Sequence, residues 1–205
     1  MIVELLYITP HAEKLIETAG RTSYLSFQKG GRNTEKKFIR MLIKKGHYSV
    51  LEHAYATFRI SGVSRAFTHQ LVRHRLCSFT QQSQRHVDES NFSYIEPDSI
   101  KNNLKAHSSF TRFMDEARKI YSKLQGLGIK NEDARFVLPN AVESQIVITA
   151  NLRQWRHIIE LRGSPNAQWE IRKVAIEILK ILKNYVPTIF ENFEVDERDS
   201  IVRKM

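Results

Sequence analysis

The sequence predicts an α+β fold, organised as a single domain over residues 1–205. Some segments alternate apolar and polar residues, as half-buried strands do, whereas others repeat apolar residues at the spacing of an amphipathic helix. The two kinds of segment follow each other irregularly, which favours a mixed arrangement over regular strand–helix winding. With 205 residues, 41% of them hydrophobic, the chain is long enough to bury a core.

The first elements are assigned from short patterns. Residues 2–8 are predicted to form a strand. From Thr34 to Lys45 apolar residues recur at helical spacing, and Gly46 is a residue at which helices commonly end. Ser49 and Glu52 have the separation of a capping box, in which a hydroxyl and a carboxylate bind the first amide groups of a helix.

A strand and a helix are predicted next. Residues 54–60 alternate between apolar and polar side chains, which is the period of a half-buried strand. After Gly62 the spacing changes to that of a helix, since Phe67 and Leu71 are four residues apart. The same predicted helix would carry a polar strip formed by Gln70, Arg73 and His74.

The remaining elements are marked by caps and stops. A long helix is predicted over 102–125, and a short helix starts at Asn131 and ends before Pro139. A strand follows over 144–150, and then a helix runs from the cap Asn151 through Arg162 to the stop Gly163. The last predicted helix is opened by Ser164-Pro165 and closed by Pro187. The last helix would bury one face, formed by Ile171, Val174, Ile178, Leu182 and Tyr185.

The charge distribution points to an anionic partner. The net charge is +10 and the pI is about 9.8, so nucleic acid, nucleotides and anionic membrane surfaces would all be attracted. Between Glu52 and Asp88 there is no acidic residue, but there are five arginines. The run from Arg73 to Arg85 adds imidazole, hydroxyl and amide groups to these unpaired cations, which predicts a pocket for an anion.

Several types of site lack their sequence pattern. There is no P-loop and no complete G-x-G-x-x-G, and the eight histidines do not have the spacing of a metal site, so we expect no bound metal. Cys77 is the only cysteine, which excludes an intramolecular disulfide; it could be a nucleophile activated by Arg75 or a small buried apolar residue. We find no signal peptide and no membrane-length apolar run, so we expect a cytoplasmic protein.

The motif Arg-His-Arg, seven residues, Ser is present from Arg73 to Ser83. It resembles the signature of the flavin-dependent thymidylate synthases. Four further segments resemble blocks of the same family in the same order, namely 46–53, 132–139, 151–162 and 166–171. The resemblance therefore covers about residues 46 to 172, and it implies a central sheet with flanking helices.

The resemblance also implies an enzyme that methylates dUMP reductively to dTMP. Methylenetetrahydrofolate would supply the carbon, and tightly bound FAD, reduced by NADPH, would supply the hydride. Members of the family are homotetramers with active sites between subunits, and they need no enzyme nucleophile. Neither nucleic acid nor a membrane is implied as a partner.

The residues of this chain at the matching positions divide into two groups. Those that would bind dUMP are Gln70, Arg73, Ser83, Gln84, Arg85, Arg135 and Arg162. Those that would contact FAD are His47, Ser49, Arg73, His74, Arg75, Gln81, Asn151, Arg153 and His157. Gln81 departs from members of the family that carry Glu at this position.

These residue types suit the chemistry. Planar guanidinium groups, such as those of Arg85 and Arg135, bind phosphate oxygens with paired charge-assisted hydrogen bonds. Methylation requires a nucleophilic uracil C5, and a cation beside N3 and the carbonyl oxygens favours the enolate-like ring. One donor aimed in this way typically lowers a barrier by about 3 kcal/mol. We expect Arg162 to be this catalytic group.

The same residues allow other interpretations. Arg135, Arg153 and Arg162 could form surface ion pairs with Glu132, Glu143 or Glu160, each worth less than about 1 kcal/mol. His74 and His157 could be structural histidines. A basic nucleic-acid-binding module, with arginines on successive phosphates and Phe79 stacked on a base, would also explain the charge. An inactive homologue that keeps the fold as a scaffold is a third possibility.

Overall fold

The computed structural model describes residues 1–205 and mixes strands with helices along the chain. The strands are β1 (Ile2–Ile8), β2 (Tyr55–Ser64), β3 (Cys77–Gln81), β4 (Glu143–Asn151), β5 (Phe193–Asp196) and β6 (Ile201–Lys204). The α-helices are α1 (Ala12–Thr22), α2 (Glu35–Lys44), α3 (Arg65–Leu71), α4 (Asp98–Lys101), α5 (Leu104–Gly126), α6 (Asn131–Ala134), α7 (Leu152–Arg162), α8 (Trp169–Tyr185) and α9 (Pro187–Phe190). Short 3-10 turns cover Phe27–Lys29, Ser49–His53 and Arg135–Val137. The predicted α+β class is confirmed.

The strands form two sheets. The larger sheet has the order β1-β2-β4-β3, and β5 pairs with β6 in a separate antiparallel hairpin. The strands predicted over 2–8, 54–60 and 144–150 correspond to β1, β2 and β4. In β2 the expected alternation is present, because Ala56, Phe58 and Ile60 are fully buried between more exposed neighbours.

The chain divides into two compact units. The first unit consists of residues 1–2, 60–70 and 80–146, and the second unit consists of residues 3–59, 71–79 and 147–205. The single domain expected from the sequence stays a prediction.

The core of the first unit forms around α5. Met114 and Ala117 on this helix pack with Phe92 and Val142, and none of the four is more than 4% exposed. The side-chain oxygen of Asn103 caps the helix by accepting a hydrogen bond from an amide of the first turn. The helix begins two residues after the predicted start at 102 and ends at Gly126, one residue after the predicted end at 125. None of the helices combines the length and the hydrophobicity needed to cross a membrane.

The core of the second unit includes the buried face of α7. Trp155 is fully buried, its ring packs edge-on against Phe58 with 5.0 Å between centroids, and its Nε1 donates to the main-chain oxygen of Ala56 at 3.0 Å. Because this contact fixes the rotation of α7 about its axis, Arg153 and His157, which are four residues apart, share the exposed face.

The ends of the helices place several predicted site residues. The side chain of Asn151 caps α7 by accepting from the amide of Gln154 at 2.8 Å, as predicted. At the end of α2, Gly46 has a φ of 72°, in the left-handed region that glycine tolerates best, and the amide of His47 donates back to Leu42 at 2.9 Å. These two turns fix where Asn151 and His47 lie.

Two local predictions are wrong. α3 ends at Leu71, so Arg73 and His74 lie beyond the helix instead of on a strip with Gln70. The turn that starts at Ser49 has no side-chain cap hydrogen bond, so the capping box does not form.

The last long helix also differs from its prediction. α8 begins at Trp169, where Gln168 supplies the cap, and not at Ser164. Of its predicted apolar face, Ile171, Val174, Ile178 and Leu182 are buried, but Tyr185 is 59% exposed. The sequence patterns also gave no sign of α1, of β3 or of the hairpin formed by β5 and β6.

Candidate active site

The first part of the signature motif lies in the turn between α3 and β3. Arg73 and Arg75 are exposed, whereas His74 between them is only 5% exposed. The main-chain amide of His74 donates to the carbonyl oxygen of Leu71 at 3.1 Å, which closes the turn after α3. The turn therefore buries one imidazole and leaves two guanidinium groups in solvent.

The imidazole of His74 binds the guanidinium group of Arg162, the last residue of α7. Nε of Arg162 donates to Nε2 of His74 at 2.9 Å. Since Nε2 accepts this bond, the proton of the neutral ring lies on Nδ1. Burial, and then the charges of Arg162 and of His157, lower the pKa of His74 to about 4. The ring of His157 lies 6.0 Å from that of His74, centroid to centroid.

Positive charge is concentrated at this end of α7. Burial lowers the pKa of the Arg162 guanidinium group, and repulsion from Arg73 lowers it further. A bound anion would oppose both effects, because it would replace lost solvation and offset the repulsion between the two cations. The pair is suited to holding an anionic ligand.

Five of the nine residues predicted to contact FAD line two cavities of the second unit. The residues Asn151, Arg153 and His157 line a cavity of about 510 Å³. The residues His47, Ser49 and again Arg153 line a cavity of about 420 Å³. Both volumes lie in the range that accommodates small ligands and parts of cofactors. Arg153 lines both cavities, and its Nη1 donates to Oε1 of Glu52 at 2.5 Å.

In the first unit, Glu132 contacts two of the predicted phosphate ligands. Its Oε2 accepts from Nε of Arg85 at 2.9 Å, and its main-chain oxygen accepts from Nε of Arg135 at 3.0 Å. Both contacts use Nε, so the Nη groups of each guanidinium can still bind an anion. The expectation of an unpaired positive field is corrected here: Arg85 pairs with Glu132, and Arg59 pairs with Glu4 at 2.6 Å.

Four further predicted residues lie in the first unit. Oγ of Ser83 accepts from the amide of Arg85 at 3.3 Å, and Gln84 is buried. The side chain of Gln70 donates to the carbonyl of its own helix at residue 66, at 3.5 Å. Nε2 of Gln81 donates to Thr68 Oγ1 at 2.8 Å and to a second buried hydroxyl, that of Ser144, at 3.4 Å. The amide donors of Gln81 are thus used within the protein.

The sequence matches known proteins over most of its length. Residues 4–188 match the family described as thymidylate synthase complementing protein. A flavin-dependent thymidylate synthase from Corynebacterium efficiens is 43% identical over an alignment of 202 residues, which covers 90% of this chain and 81% of the relative. The chain belongs to the flavin-dependent thymidylate synthase family. The relative of that name from Geobacter sulfurreducens is 41% identical over 200 residues, with 94% of this chain and 86% of the relative covered.

Solved structures of this flavin-dependent family have the same fold. A crystal structure of thymidylate synthase X (ThyX) from Helicobacter pylori with FAD and dUMP superposes with a TM-score of 0.79 at 25% sequence identity. The match covers 93% of this chain and 97% of the Helicobacter chain. A second crystal structure of that enzyme with FAD and dUMP gives a TM-score of 0.78.

The single cysteine of this family member is not set up as a nucleophile. Cys77 is half-buried, and burial raises the pKa of its thiol to about 11, against a smaller opposite effect of a hydrogen bond with Gln154. The thiol is therefore protonated at neutral pH, which disfavours the thiolate that nucleophilic catalysis requires. Of the two interpretations of Cys77, the small apolar residue fits the structure better.

The ion-pair alternative is only partly right. Arg153 does form an ion pair, but with Glu52, and Arg135 meets Glu132 through the main chain. Glu160 binds Lys204 at 2.9 Å. The pairs Arg153–Glu52 and Glu160–Lys204 join segments far apart in sequence, and the local contact of Arg135 is with a main-chain oxygen, so none of them is the helix-surface ion pair that was expected.

Two residues that lie beside the predicted FAD ligands of this chain were not identified from the sequence. Tyr48 lines both cavities, and Arg156 lines the larger one. Arg156 is 5% exposed, donates to Asn192 Oδ1 at 2.9 Å, and lies 5.6 Å from the ring of Tyr48. Both lie inside blocks that carry the family resemblance, but no spacing rule distinguishes a cavity wall from a core position there.

Proposed function

We propose that this chain is a flavin-dependent thymidylate synthase that converts dUMP to dTMP with methylenetetrahydrofolate as carbon donor and NADPH as reductant. Beyond family membership, one observation carries the proposal. Arg162, the expected activating group, is held by a neutral His74 and lies near a second cation, Arg73.

The phosphate of dUMP would be bound by guanidinium and small polar groups. Arg85 and Arg135 donate their Nε–H groups to Glu132, so their Nη groups can bind a dianion. The hydroxyl of Ser83 and the amide of Gln84 would add neutral hydrogen bonds, and Gln70 and Arg73 complete the proposed set. Ser83 would bind in this scheme and would not attack.

Arg162 would activate the pyrimidine. A guanidinium group beside N3 and the carbonyl oxygens stabilises negative charge on the ring, which makes C5 nucleophilic toward the one-carbon donor. Because His74 accepts a hydrogen bond without carrying a negative charge, it anchors Arg162 and leaves its positive charge undiminished. The proposal needs no covalent bond from the enzyme, which fits the protonated thiol of Cys77.

The donor set of the second unit fits FAD. The two cavities are lined by the amide of Asn151, the hydroxyl of Ser49, the imidazoles of His47 and His157, and the guanidinium group of Arg153. Arg73 and Arg75 are exposed and could bind phosphate groups, with His74 beside His157 and Gln81 as the remaining proposed contact. When bound, FAD supplies the redox chemistry that links NADPH to reduction of the transferred carbon.

We further propose a cytoplasmic homotetramer with active sites between subunits. The exposure of Arg73 and Arg75 in a single chain is compatible with a neighbouring subunit that completes the site. Light scattering coupled to gel filtration would measure the assembly, and a monomer with full activity would contradict the shared site.

Tritium release tests the proposed reaction. Methylation at C5 of dUMP releases the hydrogen of that carbon, so [5-³H]dUMP should lose tritium to water only when NADPH, FAD and methylenetetrahydrofolate are all present. Omission of each component in turn is the control. Protein that takes up no FAD and releases no tritium, but binds oligonucleotides with a steep salt dependence, would instead support the nucleic-acid-binding module.

A further inference from the structure

We infer, on the basis of the proposed function, that His74 is a positioning residue whose neutral imidazole directs the guanidinium group of Arg162 toward the pyrimidine. This role is distinct from a contact between His74 and FAD. It concerns a hydrogen bond between two side chains that are 88 residues apart in sequence and 2.9 Å apart in space.

Arg162 needs an external anchor. It is the last residue of α7, and an arginine side chain has several rotatable bonds that let an unanchored guanidinium group point in many directions. The bond to His74 uses Nε, which lies on the stem side of the planar group. With Nε fixed, the plane and the direction of the two Nη groups are largely determined. Those are the groups that recognise paired acceptors such as a carbonyl oxygen and a ring nitrogen.

His74 can serve as an anchor because it is itself held. Its side chain is buried, its amide is fixed to Leu71, and the ring of His157 lies across it at an interplanar angle of 73°. The groups that face the imidazole are Arg162 and His157, and Arg73 acts in turn on Arg162. All are cations or can become cations, so the surroundings favour the neutral ring that can accept.

The choice of an imidazole over a carboxylate has a consequence for catalysis. A carboxylate would hold Arg162 at least as firmly, but it would cancel the positive charge that the pyrimidine ring requires. A neutral ring nitrogen orients the guanidinium group of Arg162 and does not cancel its positive charge. The test therefore separates the acceptor at Nε2 from the size of the ring.

Two substitutions make this separation. The side-chain oxygen of His74→Gln can occupy the place of Nε2 and accept from Arg162, whereas His74→Phe keeps a ring of similar size and has no acceptor. His107→Phe is the matched control, because His107 binds Glu96 at 2.8 Å and belongs to neither proposed ligand set. Dissociation constants for dUMP are measured by calorimetry on the FAD-loaded proteins, and bound flavin is measured by absorbance.

The expected result is a loss specific to the missing acceptor. His74→Phe should weaken dUMP binding by roughly tenfold, the scale of one hydrogen bond to a charged group. His74→Gln should stay within about threefold of the wild type, since it keeps the acceptor. His107→Phe should bind as the wild type does. Equal affinities of the wild type and His74→Phe would overturn the inference.

A double-mutant cycle distinguishes positioning from direct contact. If His74 acts only through Arg162, the effect of His74→Phe on dUMP affinity should disappear in an Arg162→Ala background. Additive effects would show that His74 meets the ligand independently, and would overturn the positioning role. Failure of the wild type to bind dUMP would count against the proposed function itself, so the two failures are distinguishable.

A spectroscopic measurement covers the case in which His74→Phe does not fold. The ¹⁵N shifts of the wild-type imidazole, assigned by comparison with His74→Gln, should show the proton on Nδ1 and a hydrogen-bonded Nε2. A proton on Nε2 would contradict the inference, because that nitrogen could not then accept from Arg162.

Discussion

Val202 on β6 packs so closely on Gly163 that a Cβ atom at residue 163 would lie 2.5 Å from Cγ2 of Val202. The amide of Val202 also donates to the carbonyl oxygen of Gly163 at 2.7 Å. Since Gly163 directly follows Arg162, β6 supports the end of the helix that carries the guanidinium group proposed as the activator. The ion pair of Lys204 with Glu160 adds a second contact between β6 and α7.

Gly163→Ala should therefore impair both stability and catalysis. The φ of Gly163 is −82°, which alanine adopts readily, so the effect would come from the clash with Val202 and with the carbonyl oxygen of Ile159 at 2.7 Å. Overpacking of this kind costs about 1–3 kcal/mol of unfolding free energy. A shift of Arg162 should also lower kcat/KM for dUMP by roughly tenfold or more. Thermal unfolding and steady-state kinetics measure the two effects.

Gly126→Ala is the control for this substitution, because a Cβ atom there meets no atom within 4 Å. It should leave both measurements near those of the wild type. The double variant Gly163→Ala with Val202→Ala should recover only part of the loss, since it removes the contact with Cγ2 but not those with Cβ of residue 202 and with the carbonyl oxygen of Ile159, both at 2.7 Å. A Gly163→Ala variant with full stability and activity would show that contact with β6 does not fix the position of this helix end.

The helix α7 shows what the sequence could predict and what it could not. Its cap at Asn151 and its end near Gly163 follow from local residue preferences, and the structure confirms both. Gly163 was interpreted from the sequence only as a residue that stops the helix. Its actual requirement is the close approach of Val202, which lies in a hairpin that has no local signal linking it to α7.

The same distinction applies to the site. The family resemblance selected Arg85, Arg153 and Arg162 as ligands, but their partners in the protein are set by tertiary contacts. Glu52 was assigned to a capping box, and instead it binds Arg153 across 101 residues of sequence. His74 was placed on a helix with Gln70, but the helix ends three residues earlier and the imidazole turns into the protein. Short-range periodicity contains no information on such pairs.

Arg162→Ala should abolish dTMP formation while flavin stays bound. Removal of a donor aimed at developing charge lowers kcat by about a hundredfold to a thousandfold, and Arg162 belongs to the proposed dUMP set only. Arg162→Lys, which keeps a charge but loses the planar fork, should recover a small part of the rate. Tritium release and flavin absorbance measure the two properties. Full activity of Arg162→Ala would remove the activator role.

Cys77→Ala should retain most of the activity of the wild type. The raised pKa of its thiol, about 11, keeps the sulfur protonated at neutral pH, so no thiolate is available for attack on the pyrimidine. The wild-type thiol should also react slowly with alkylating reagents at pH 7, and faster as the pH approaches 11. Loss of dTMP formation in a folded Cys77→Ala protein would restore the nucleophile interpretation.

Glu132→Gln should tighten the binding of dUMP. The carboxylate of Glu132 holds Arg85 at 2.9 Å and competes with a phosphate for the same guanidinium group. Both side chains are partly exposed, so the pair is worth less than about 1 kcal/mol and the gain in affinity should be no more than about fivefold. Asp133→Asn removes an exposed negative charge at the neighbouring position. It controls for the change in electrostatic potential that the loss of any carboxylate there would cause. Weaker binding in Glu132→Gln alone would mean that the carboxylate orients Arg85 for the ligand.

The buried, neutral state of His74 should make folding stability depend on pH. The pKa of His74 falls from 6.5 to about 4 on folding, first because of burial and then because of Arg162 and His157. Between these two values the unfolded chain binds a proton that the folded protein does not, so the unfolding free energy contributed by this group decreases as the pH drops from about 6.5 toward 4. The full loss amounts to about 3 kcal/mol.

His74→Gln isolates this contribution, because it keeps an acceptor for Arg162 and cannot be protonated. We would measure the unfolding free energies of the wild type and of this variant with urea at a series of pH values from 7 to 4.5. In the difference between the two free energies, the titration of all other groups cancels to first order. That difference should shift in favour of the variant as the pH falls. A difference that is independent of pH would mean that the imidazole is protonated as easily in the folded protein as in the unfolded chain, and Nε2 could not then be the acceptor that holds Arg162.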